Sequence, residues 1–253
     1  MDPIITSVLT SFATTLATNS SKVPMQTLDD LWYMAFNKIN FAADKKRIEN
    51  EINLLAYKNS LANKLNTIEE DKLIEPTISI VGPALEASRY YIDEEELREM
   101  FAKLIASSLN SDKAYDTHPA YVEIIKQLTP DEAKLLQIIR ENNQPTIHLK
   151  IIMGDGSYLP MLLNFTDLCD KANCSYPTKI FSYLDNLNRL GLINLHDSNQ
   201  LTPDYLYDEL FEHPVVLQGT KGADFLGKSR IEKSSFSVTP FGKQFYQSCI
   251  HED

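Results

Sequence analysis

Cysteine and long uncharged apolar runs are both scarce in this sequence. The three cysteines, Cys169, Cys174 and Cys249, are too few and too uneven in number for a disulfide framework, and unpaired thiols are typical of a reducing compartment. The longest uncharged stretch, roughly residues 3–21, lacks the basic N-terminal region of a signal peptide and is too rich in Thr and Ser to cross a bilayer. We therefore expect a cytoplasmic protein with no transmembrane segment. We expect its first residues to form a packed amphipathic helix or a weak binding segment for a surface or a partner.

Positive charge is scarce as well. The chain holds 24 Lys and Arg against 35 Asp and Glu, a formal net charge of −11. Such a chain repels a phosphate backbone at long range, which counts against nucleic-acid binding by the whole surface but not by a local basic patch. A hydrophobic content of 43% is ordinary for a globular protein and can form a sizeable core. The composition therefore predicts a folded protein and disfavours nucleic acid as its partner.

Residues with catalytic or metal-binding chemistry do not gather in the sequence. Cys169 and Cys174 are separated by four residues rather than two, and no histidine lies at metal-ligand spacing from them. The five histidines are scattered, and none accompanies a serine or cysteine nucleophile signature. The four carboxylates of residues 93–96 are typical of a helix start, where they face the positive end of the helix dipole. The sequence therefore predicts no catalytic residue, no metal and no cofactor.

Apolar residues at helical spacing predict a helical N-terminal half without a sheet. The predicted helices cover residues 27–39, 41–68, 84–91, 93–109 and 120–128. The apolar stripe of helix 41–68 repeats with spacings of four and three: Ile48, Ile52, Leu55 and then Leu61, Leu65, Ile68. Such a stripe is either one face of a helical bundle or a coiled-coil seam. The helix 41–68 is therefore a candidate for contacts in a homo-oligomer.

A second capping signal marks the start of the C-terminal half. The segment 129–132, Thr-Pro-Asp-Glu, combines an N-cap residue, a proline in the first turn and a glutamate at the third helical position, so we place a boundary between domains 1–128 and 129–253. The second domain is predicted to hold helices at 131–142, 165–172, 176–190 and 240–250, strands at 146–153, 192–195 and 235–239, and loops at 154–160 and 196–234. This order is that of a winged helix. The predicted fold is mostly α, an N-terminal helical bundle followed by a C-terminal winged-helix-like α+β domain.

The segment 222–229 matches the pattern of a phosphate-binding loop. Gly222, Gly227, Lys228 and Ser229 satisfy G-x-x-x-x-G-K-[ST]. Such a loop needs a strand before it and a helix directly after it, and the residues that follow Ser229 form no helix with an apolar face. A nucleotide-binding enzyme that uses this loop is therefore an alternative rather than the main expectation.

The same stretch is locally basic on the predicted wing. Lys221, Lys228, Arg230 and Lys233 are the candidate wing contacts. A winged helix that reads DNA places base contacts on its second motif helix and phosphate contacts on the wing, but the helix 176–190 offers few basic residues. The second domain is thus expected to bind protein, with a DNA-binding regulator as the alternative.

The stretch 79–101 carries the most distinctive pattern of the N-terminal half. Gly82 and Pro83 are expected to mark the start of a helix, with Pro83 in its first turn. Four charged residues follow as two pairs with i, i+3 spacing: Glu86 with Arg89, and Glu95 with Arg98. These pairs either hold a helix–helix corner together by ion pairs or form a surface for a partner.

Several motifs of this region have a family resemblance. They are residues 75–76, 79–88, 94–102, 118–119 and 122–128, together with the closing motif 239–245, Thr-Pro-Phe-Gly-Lys-Gln-Phe. They resemble the Abi-alpha family, the abortive-infection alpha proteins of bacteria, whereas 196–235 has no counterpart. The resemblance implies a bacterial intracellular protein linked to phage defence and brings no catalytic residue. The expected function is antiviral defence through contacts with a host or phage protein, without catalysis of its own.

Overall fold

The chain divides into two compact units. The structure, a computed structural model, describes residues 32, 33, 36, 44–75 and 77–251, so the helix expected near the N-terminus lies outside the described residues. The first unit comprises Met1–Pro130 with Gln244–Asp253, and the second comprises Asp131–Lys243. The domain limits 1–128 and 129–253 stay a prediction, because compactness does not show that either part folds alone.

The described part of the first unit is built from helices. These are α1 Asp44–Asn66, α2 Ile78–Ser88, α3 Glu95–Ser108 and α4 Ala120–Ile125, with 3-10 turns at Glu70–Lys72 and Ala114–Asp116. The only β pairing among the described residues of this unit is an isolated bridge between Leu73 and Asn110. The predicted helical, sheet-free character is therefore confirmed for these residues.

The core of the first unit lies between α1, α2 and α3. Its buried side chains include Tyr57, Leu61 and Leu65 of α1, Leu85 of α2, and Leu97, Phe101 and Leu104 of α3. The rings of Trp32 and Phe36 lie 5.1 and 6.0 Å from the ring of Tyr57. Ile52 and Leu55 belong to the same helix α1 but are largely exposed. The C-terminal half of α1 thus packs into the core, while apolar side chains before it face solvent.

Helix α2 begins earlier than the sequence predicts. The expected entry at Gly82 and Pro83 is wrong, because α2 starts at Ile78 and Pro83 lies inside it. Ile80 and Val81 in the first turn are buried. Their burial outweighs the loss of one helical hydrogen bond at the proline, which has no N–H to donate.

The second unit combines helices with a four-stranded sheet. Its helices are α5 Pro130–Ile139, α6 Leu168–Lys171, α7 Ile180–Arg189, α8 Asp208–Glu212 and α9 Pro214–Leu226. The last helix, α10 Pro240–Cys249, begins in the second unit and continues into the segment Gln244–Asp253 of the first. Its strands are β1 Gln144–Ile152, β2 Tyr158–Phe165, β3 Ile193–His196 and β4 Lys228–Val238, with 3-10 turns at Pro177–Lys179 and Asp204–Tyr207. The strand order is β2-β1-β4-β3, and every neighbouring pair is antiparallel.

Two segments predicted as loops are strand and helix instead. Residues from 158 onward form β2, an edge strand of the sheet. The segment 196–234 holds α8, α9 and the first half of β4. Helix α9 packs closely on β1, since a Cβ on Gly219 would come within 2.8 Å of the Leu149 side chain. The buried Val216 and Ala223 of α9 provide the apolar area for this packing.

The core of the second unit lies between the sheet and the helical segment that precedes β4. Its buried cluster comprises Ile147, Phe165, Tyr207, Leu210 and Val216. The Tyr207 hydroxyl donates to the Ser234 carbonyl at 2.8 Å and accepts from the N–H of Leu201 at 2.7 Å. This tyrosine therefore attaches the helical segment to β4.

The predicted helix boundaries of this half agree with the structure where a capping residue marks them. Helix α5 begins at Pro130, as the capping signal predicts. The Thr239 hydroxyl accepts the N–H of Gly242 at 2.8 Å at the start of α10. Gly191 has a φ of +74° just beyond α7, a conformation that glycine adopts without a Cβ penalty.

Candidate functional site

The turn between α2 and α3 contains the charged motif of the N-terminal half. Backbone hydrogen bonds from Tyr90 to Ala87 and from Tyr91 to Ser88, both 3.0 Å, form the turn. The guanidinium of Arg98 then reaches back from α3, and its Nη1 donates to the carbonyl of Ile92 at 2.8 Å. A charged donor on a buried carbonyl fixes the exit of this turn.

The four charged residues of the motif differ in exposure. Arg98 is only 6% exposed, Arg89 is half-buried, and Glu86 and Glu95 are exposed. No ion pair joins these four residues in the described part of the chain, so the geometry lends no support to the ion-paired corner. Tyr90 stands between them and is 82% exposed. The role of this turn as a partner surface stays a prediction.

The segment 222–229 does not form a phosphate-binding loop. Residues up to Leu226 belong to α9, and β4 begins at Lys228, so a helix precedes a strand where the motif requires a strand before a helix. The N–H of Ser229 donates to the Asp224 carboxylate at 3.0 Å, so this amide is already bonded within the segment. The nucleotide-binding alternative loses its geometric basis at this position.

The four candidate wing residues lie on a helix and a strand rather than on a loop. Lys221 is on α9, and Lys228, Arg230 and Lys233 are on β4. Arg230 Nε lies 3.3 Å from the Glu232 carboxylate. Lys233 Nζ lies 2.8 Å from the Asp204 carboxylate and 5.2 Å from the ring centre of Tyr207. Two of the four basic groups are thus paired with acids, which reduces the positive potential available to a phosphate backbone.

A buried carboxylate holds the start of α7. Asp131 accepts the N–H groups of Ser175 and Tyr176 at 2.8 and 3.0 Å and the hydroxyl of Tyr183 at 2.8 Å. Burial alone raises the pKa of Asp131, but these three hydrogen bonds, with Lys134 nearby, outweigh it, so the pKa lies below its ordinary value. Asp131 is therefore ionised near neutral pH and acts as a structural acceptor.

A patch of apolar side chains covers the outer edge of the sheet. It comprises Met153, Tyr158, Leu159, Met161 and Leu163, each between 41 and 59% exposed, and we call it the edge patch. β2 is the terminal strand of the sheet, and no residue of the strand itself is charged. Exposed apolar groups gathered along one sheet edge are typical of protein interaction sites.

Sequence reasoning missed the edge patch because two register shifts interrupt β2. Phe165 lies opposite Ile147, Leu162 opposite Leu149, and Leu159 opposite Ile151. The aligned residues are thus three positions apart in β2 but only two positions apart in β1. The sequence of β2 therefore shows no alternation of apolar and polar residues. The sequence does contain one indication of this strand: residues 156–165 carry no charged side chain and include six apolar ones.

The described residues offer no group of metal ligands, and their thiols are buried. The three cysteines are free and buried. Burial raises the pKa of each thiol, which keeps them protonated and makes them poor nucleophiles. In the described part of the chain, no three His, Cys, Asp or Glu side chains gather in an arrangement that could hold a metal ion.

Within residues 32, 33, 36, 44–75 and 77–251, no helix has the length and apolar character that crossing a membrane demands.

Comparison with known proteins identifies the family of the chain. No curated protein matches it in sequence. The chain is similar to the structure of an uncharacterized protein from the hydrocarbon-degrading marine bacterium Alcanivorax borkumensis SK2, with 18% sequence identity. The similarity covers 51% of this chain and 93% of that protein, with a TM-score of 0.35. A similarity this low supports no conclusion about fold or function. The sequence pattern of the family described as abortive infection alpha matches residues 49–249. The chain therefore belongs to the abortive infection alpha family.

Proposed function

We propose that this chain is a bacterial phage-defence protein of the abortive-infection type, which acts through contacts with a host or phage protein and catalyses no reaction itself. The observation that carries the defence role is the family match over residues 49–249. The proposal of a binding protein draws on the edge patch, the largest group of exposed apolar side chains described above.

The partner contacts the side chains of the edge patch rather than extending the sheet. Pro160 has no N–H to donate to an added strand, and the two register shifts of β2 bend its edge. Both features are typical of edge strands that are protected from pairing with another strand. The apolar side chains remain free to bury area against a partner, and burial of apolar area drives most protein association.

An exposed basic group beside the edge patch indicates an apolar partner surface with an acidic residue at its rim. On β4, the strand next to β1, the exposed Lys228 lies opposite Ile152, and Ile152 lies opposite Tyr158 of β2. Complementary charge at the rim steers association and selects the partner, while the apolar centre supplies affinity.

We further infer that the second unit is a winged helix with two additions. The neighbouring strands β1, β4 and β3 and the helices α5, α6 and α7 agree with the order expected for that fold. The additions are β2 at the edge and the helical segment with α8 and α9 where a wing would lie. Both additions support a protein-binding module over a DNA reader.

The two alternatives have less support than protein binding. A DNA reader would need basic groups on α7, whose exposed side chains include Asp185 beside Arg189. A nucleotide-binding enzyme at 222–229 would need a strand before the loop. A homo-oligomer through helix 41–68 stays a proposal, and the exposed Ile52 and Leu55 of α1 are the side chains that would form its contact.

A phage infection assay with matched variants tests the proposal. The chain is expressed in a bacterial host, and the efficiency of plating is measured over a panel of phages. Leu163→Lys, in the edge patch, should abolish protection because it places a charge in an apolar contact. Leu217→Lys on α9 is the matched control, since the two leucines are 48% and 49% exposed.

Both variants must first melt within a few degrees of the wild type, as expected for exposed positions. If the wild-type chain protects against none of the phages, the defence role is contradicted. If Leu163→Lys protects as well as Leu217→Lys does, defence stands and the edge patch is not the contact. Loss of protection in the control alone would also reject the edge patch.

A further inference from the structure

Strand β4 is longer than the strand that pairs with one of its two edges. On one side, residues 228–236 of β4 pair continuously with β1. On the other side, β3 pairs with residues 235–238 of β4. The segment 228–234 therefore has one edge that no described strand covers.

The chain turns away from β4 directly after β3. Residues 197–198 form a bend, and two serines of β4 hold the loop that follows. The Ser234 hydroxyl donates to the carbonyl of His196, and the Ser235 hydroxyl donates to the carbonyl of Asn199 at 2.6 Å. These bonds fix the loop beside the end of β3 and leave the preceding part of the β4 edge open.

The alternation of hydrogen bonds along β4 shows which backbone groups face the open edge. The N–H of Thr239, just beyond the strand, donates to the carbonyl of Leu192 at 3.1 Å on the β3 side. Backbone groups of an antiparallel strand face its two sides alternately, and β4 pairs without a register shift. Odd-numbered residues of β4 therefore face the open edge. The N–H of Ser229 agrees, because it donates to a carboxylate outside the sheet at 3.0 Å. Ile231 and Lys233 face the same edge.

The backbone groups of these two residues are not used elsewhere. Beyond the sheet itself, no described residue forms a hydrogen bond with the N–H or C=O group of Ile231 or Lys233. Two donors and two acceptors are thus presented in a row at the spacing of a β-strand. An extended peptide carries the complementary row of groups on its own backbone.

A cavity of about 490 Å³ adjoins the open edge. Its lining comes from residues 230–233 of β4, from the loop after β3, and from Phe211 of α8. Phe211 and Ile231 also pack against the buried cluster of the second unit, so one wall of the cavity is apolar. The open edge is therefore a groove with an apolar wall rather than a flat strand edge.

The charged side chains of this groove are balanced. The lining holds two cations, Arg230 and Lys233, and two carboxylates, Asp197 and Glu232. Arg230 Nε lies 3.3 Å from the Glu232 carboxylate, and Lys233 Nζ lies 2.8 Å from that of Asp204. A ligand bound mainly through its charge is not favoured by such a lining. The groove instead offers backbone groups and an apolar wall.

Protection against strand pairing is the purely structural alternative. Natural edge strands avoid pairing through proline, bulges or charged side chains at the edge. Residues 228–234 contain no proline, and their pairing with β1 has no register shift. The charged Arg230 and Lys233 are held by acids beside them. The open edge of β4 thus lacks the features that protect β2, namely Pro160 and two register shifts.

From this geometry we propose that the groove at residues 230–233 of β4 binds an extended peptide segment of a partner protein, which adds to the sheet as a strand in line with β3. Its backbone pairs with Ile231 and Lys233, and an apolar side chain contacts Phe211. A groove that is lined on both sides admits one extended chain, whereas pairing with the sheet of a second copy needs an edge that is free on both faces. The site is separate from the edge patch, which lies on β2 beyond β1.

Hydrogen exchange of single amides, followed by NMR on the full chain, tests the open edge. In the free protein, the amides of Ile231 and Lys233 should exchange at least about tenfold faster than those of Arg230 and Glu232, which pair with β1. Equal protection of the four amides would show that the edge is covered and would overturn the proposal. Protection of Ile231 and Lys233 that appears only at high protein concentration would assign the edge to a second copy, which also overturns it.

Peptide binding is tested with a pool of random peptides of roughly eight residues, selected by mRNA display against the full chain. The tightest member is synthesised, and it should alternate apolar and polar residues and slow exchange at Ile231 and Lys233. N-methylation of one alternating set of its residues should weaken binding by at least about tenfold, while the other set serves as the control. If no peptide binds, if neither set of N-methyl groups weakens binding, or if the two amides exchange as before, the proposal is wrong.

Matched variants of the chain test the apolar wall. Phe211→Ala should weaken the selected peptide by several-fold, whereas Leu206→Ala, which packs against the same buried cluster without lining the cavity, should leave the affinity unchanged. Equal weakening in the two variants would reject the wall as a contact. Added salt should hardly change the affinity, because the charges of the lining cancel, and a steep loss would reject the site in favour of charge attraction. Should Phe211→Ala fail to fold, the N-methylated peptides and the exchange rates decide.

Discussion

Removing the Asp131 carboxylate should destabilise the second unit more than any single exposed substitution. Asp131 is 4% exposed and accepts three hydrogen bonds, from the N–H groups of Ser175 and Tyr176 and from the Tyr183 hydroxyl. The Asp131→Ala variant leaves two backbone donors and one buried hydroxyl without their acceptor. These groups lie before and within α7, so the start of that helix loses its attachment to α5.

The size of the effect follows from the three hydrogen bonds and the cost of burying the charge. Hydrogen bonds to charged groups contribute about 1.5–3 kcal/mol each, but bonds that share one carboxylate do not add. Burial of the carboxylate offsets part of their sum. We therefore expect Asp131→Ala to lower the free energy of unfolding by about 3–4 kcal/mol. Tyr183→Phe removes one of the three bonds and should cost about 1.5 kcal/mol, the lower end of that range.

The pH dependence has a definite sign. The pKa of Asp131 is lower in the folded protein than the ordinary aspartate value of 3.8, because the hydrogen bonds to the carboxylate outweigh its burial. A carboxyl group with a lowered pKa stabilises the fold above its unfolded-state pKa, and this contribution is lost as the pH falls through the folded-state pKa. The difference between wild type and Asp131→Ala should be constant from about pH 7 to pH 5 and should shrink only below roughly pH 4.

Urea unfolding followed by circular dichroism measures the global effect, and hydrogen exchange of peptides from α7 reports on this unit alone. Asp185→Ala is the control, because Asp185 is an exposed carboxylate on the same helix. A loss within about 0.5 kcal/mol for Asp131→Ala would refute the assigned role, since that is the range of ordinary surface changes. An equal loss in the control would refute it as well.

Two further pairs of substitutions test other parts of the fold by urea unfolding. Arg98→Ala should lower the free energy of unfolding by about 2–3 kcal/mol, because it removes a buried charged donor and the packed aliphatic part of the side chain. The control Glu95→Ala, on the same helix, should stay within about 0.5 kcal/mol of the wild type. Equal effects of the two substitutions would show that Arg98 does not stabilise the turn. Gly242→Ala should lower the free energy of unfolding by more than about 1 kcal/mol, since the added Cβ would lie 2.1 Å from the Leu192 carbonyl oxygen. Gly222→Ala should instead stabilise α9 by up to about 1 kcal/mol, because no atom lies within 4 Å of the added Cβ. Unchanged stability in Gly242→Ala would show that the backbone there can move.

The features that the sequence predicts well depend on neighbouring residues in the chain. The start of α5 at Pro130 follows from residues 129–132, and the end of α7 follows from Gly191. The buried face of α3 follows from the spacing of Leu97, Phe101 and Leu104. Capping and helical periodicity act within one or two turns, so they are visible without a structure.

The features that the sequence predicts poorly depend on packing between distant segments. Pro83 normally disfavours a helix interior, yet burial of Ile80 and Val81 extends α2 in front of it. Helix α9 contains Gly219 and Gly222, which weaken a helix locally, and it forms because its apolar side packs on the sheet. Tertiary packing therefore decided the outcome in both cases.

The candidate sites follow the same division. Family membership was accessible from the sequence, because it depends on residue types and their order. The edge patch was not. Its strand β2 is hidden in the sequence, because two register shifts place residues three apart opposite residues two apart on β1. Pairing between strands decides that register, and no pattern within the strand itself records it.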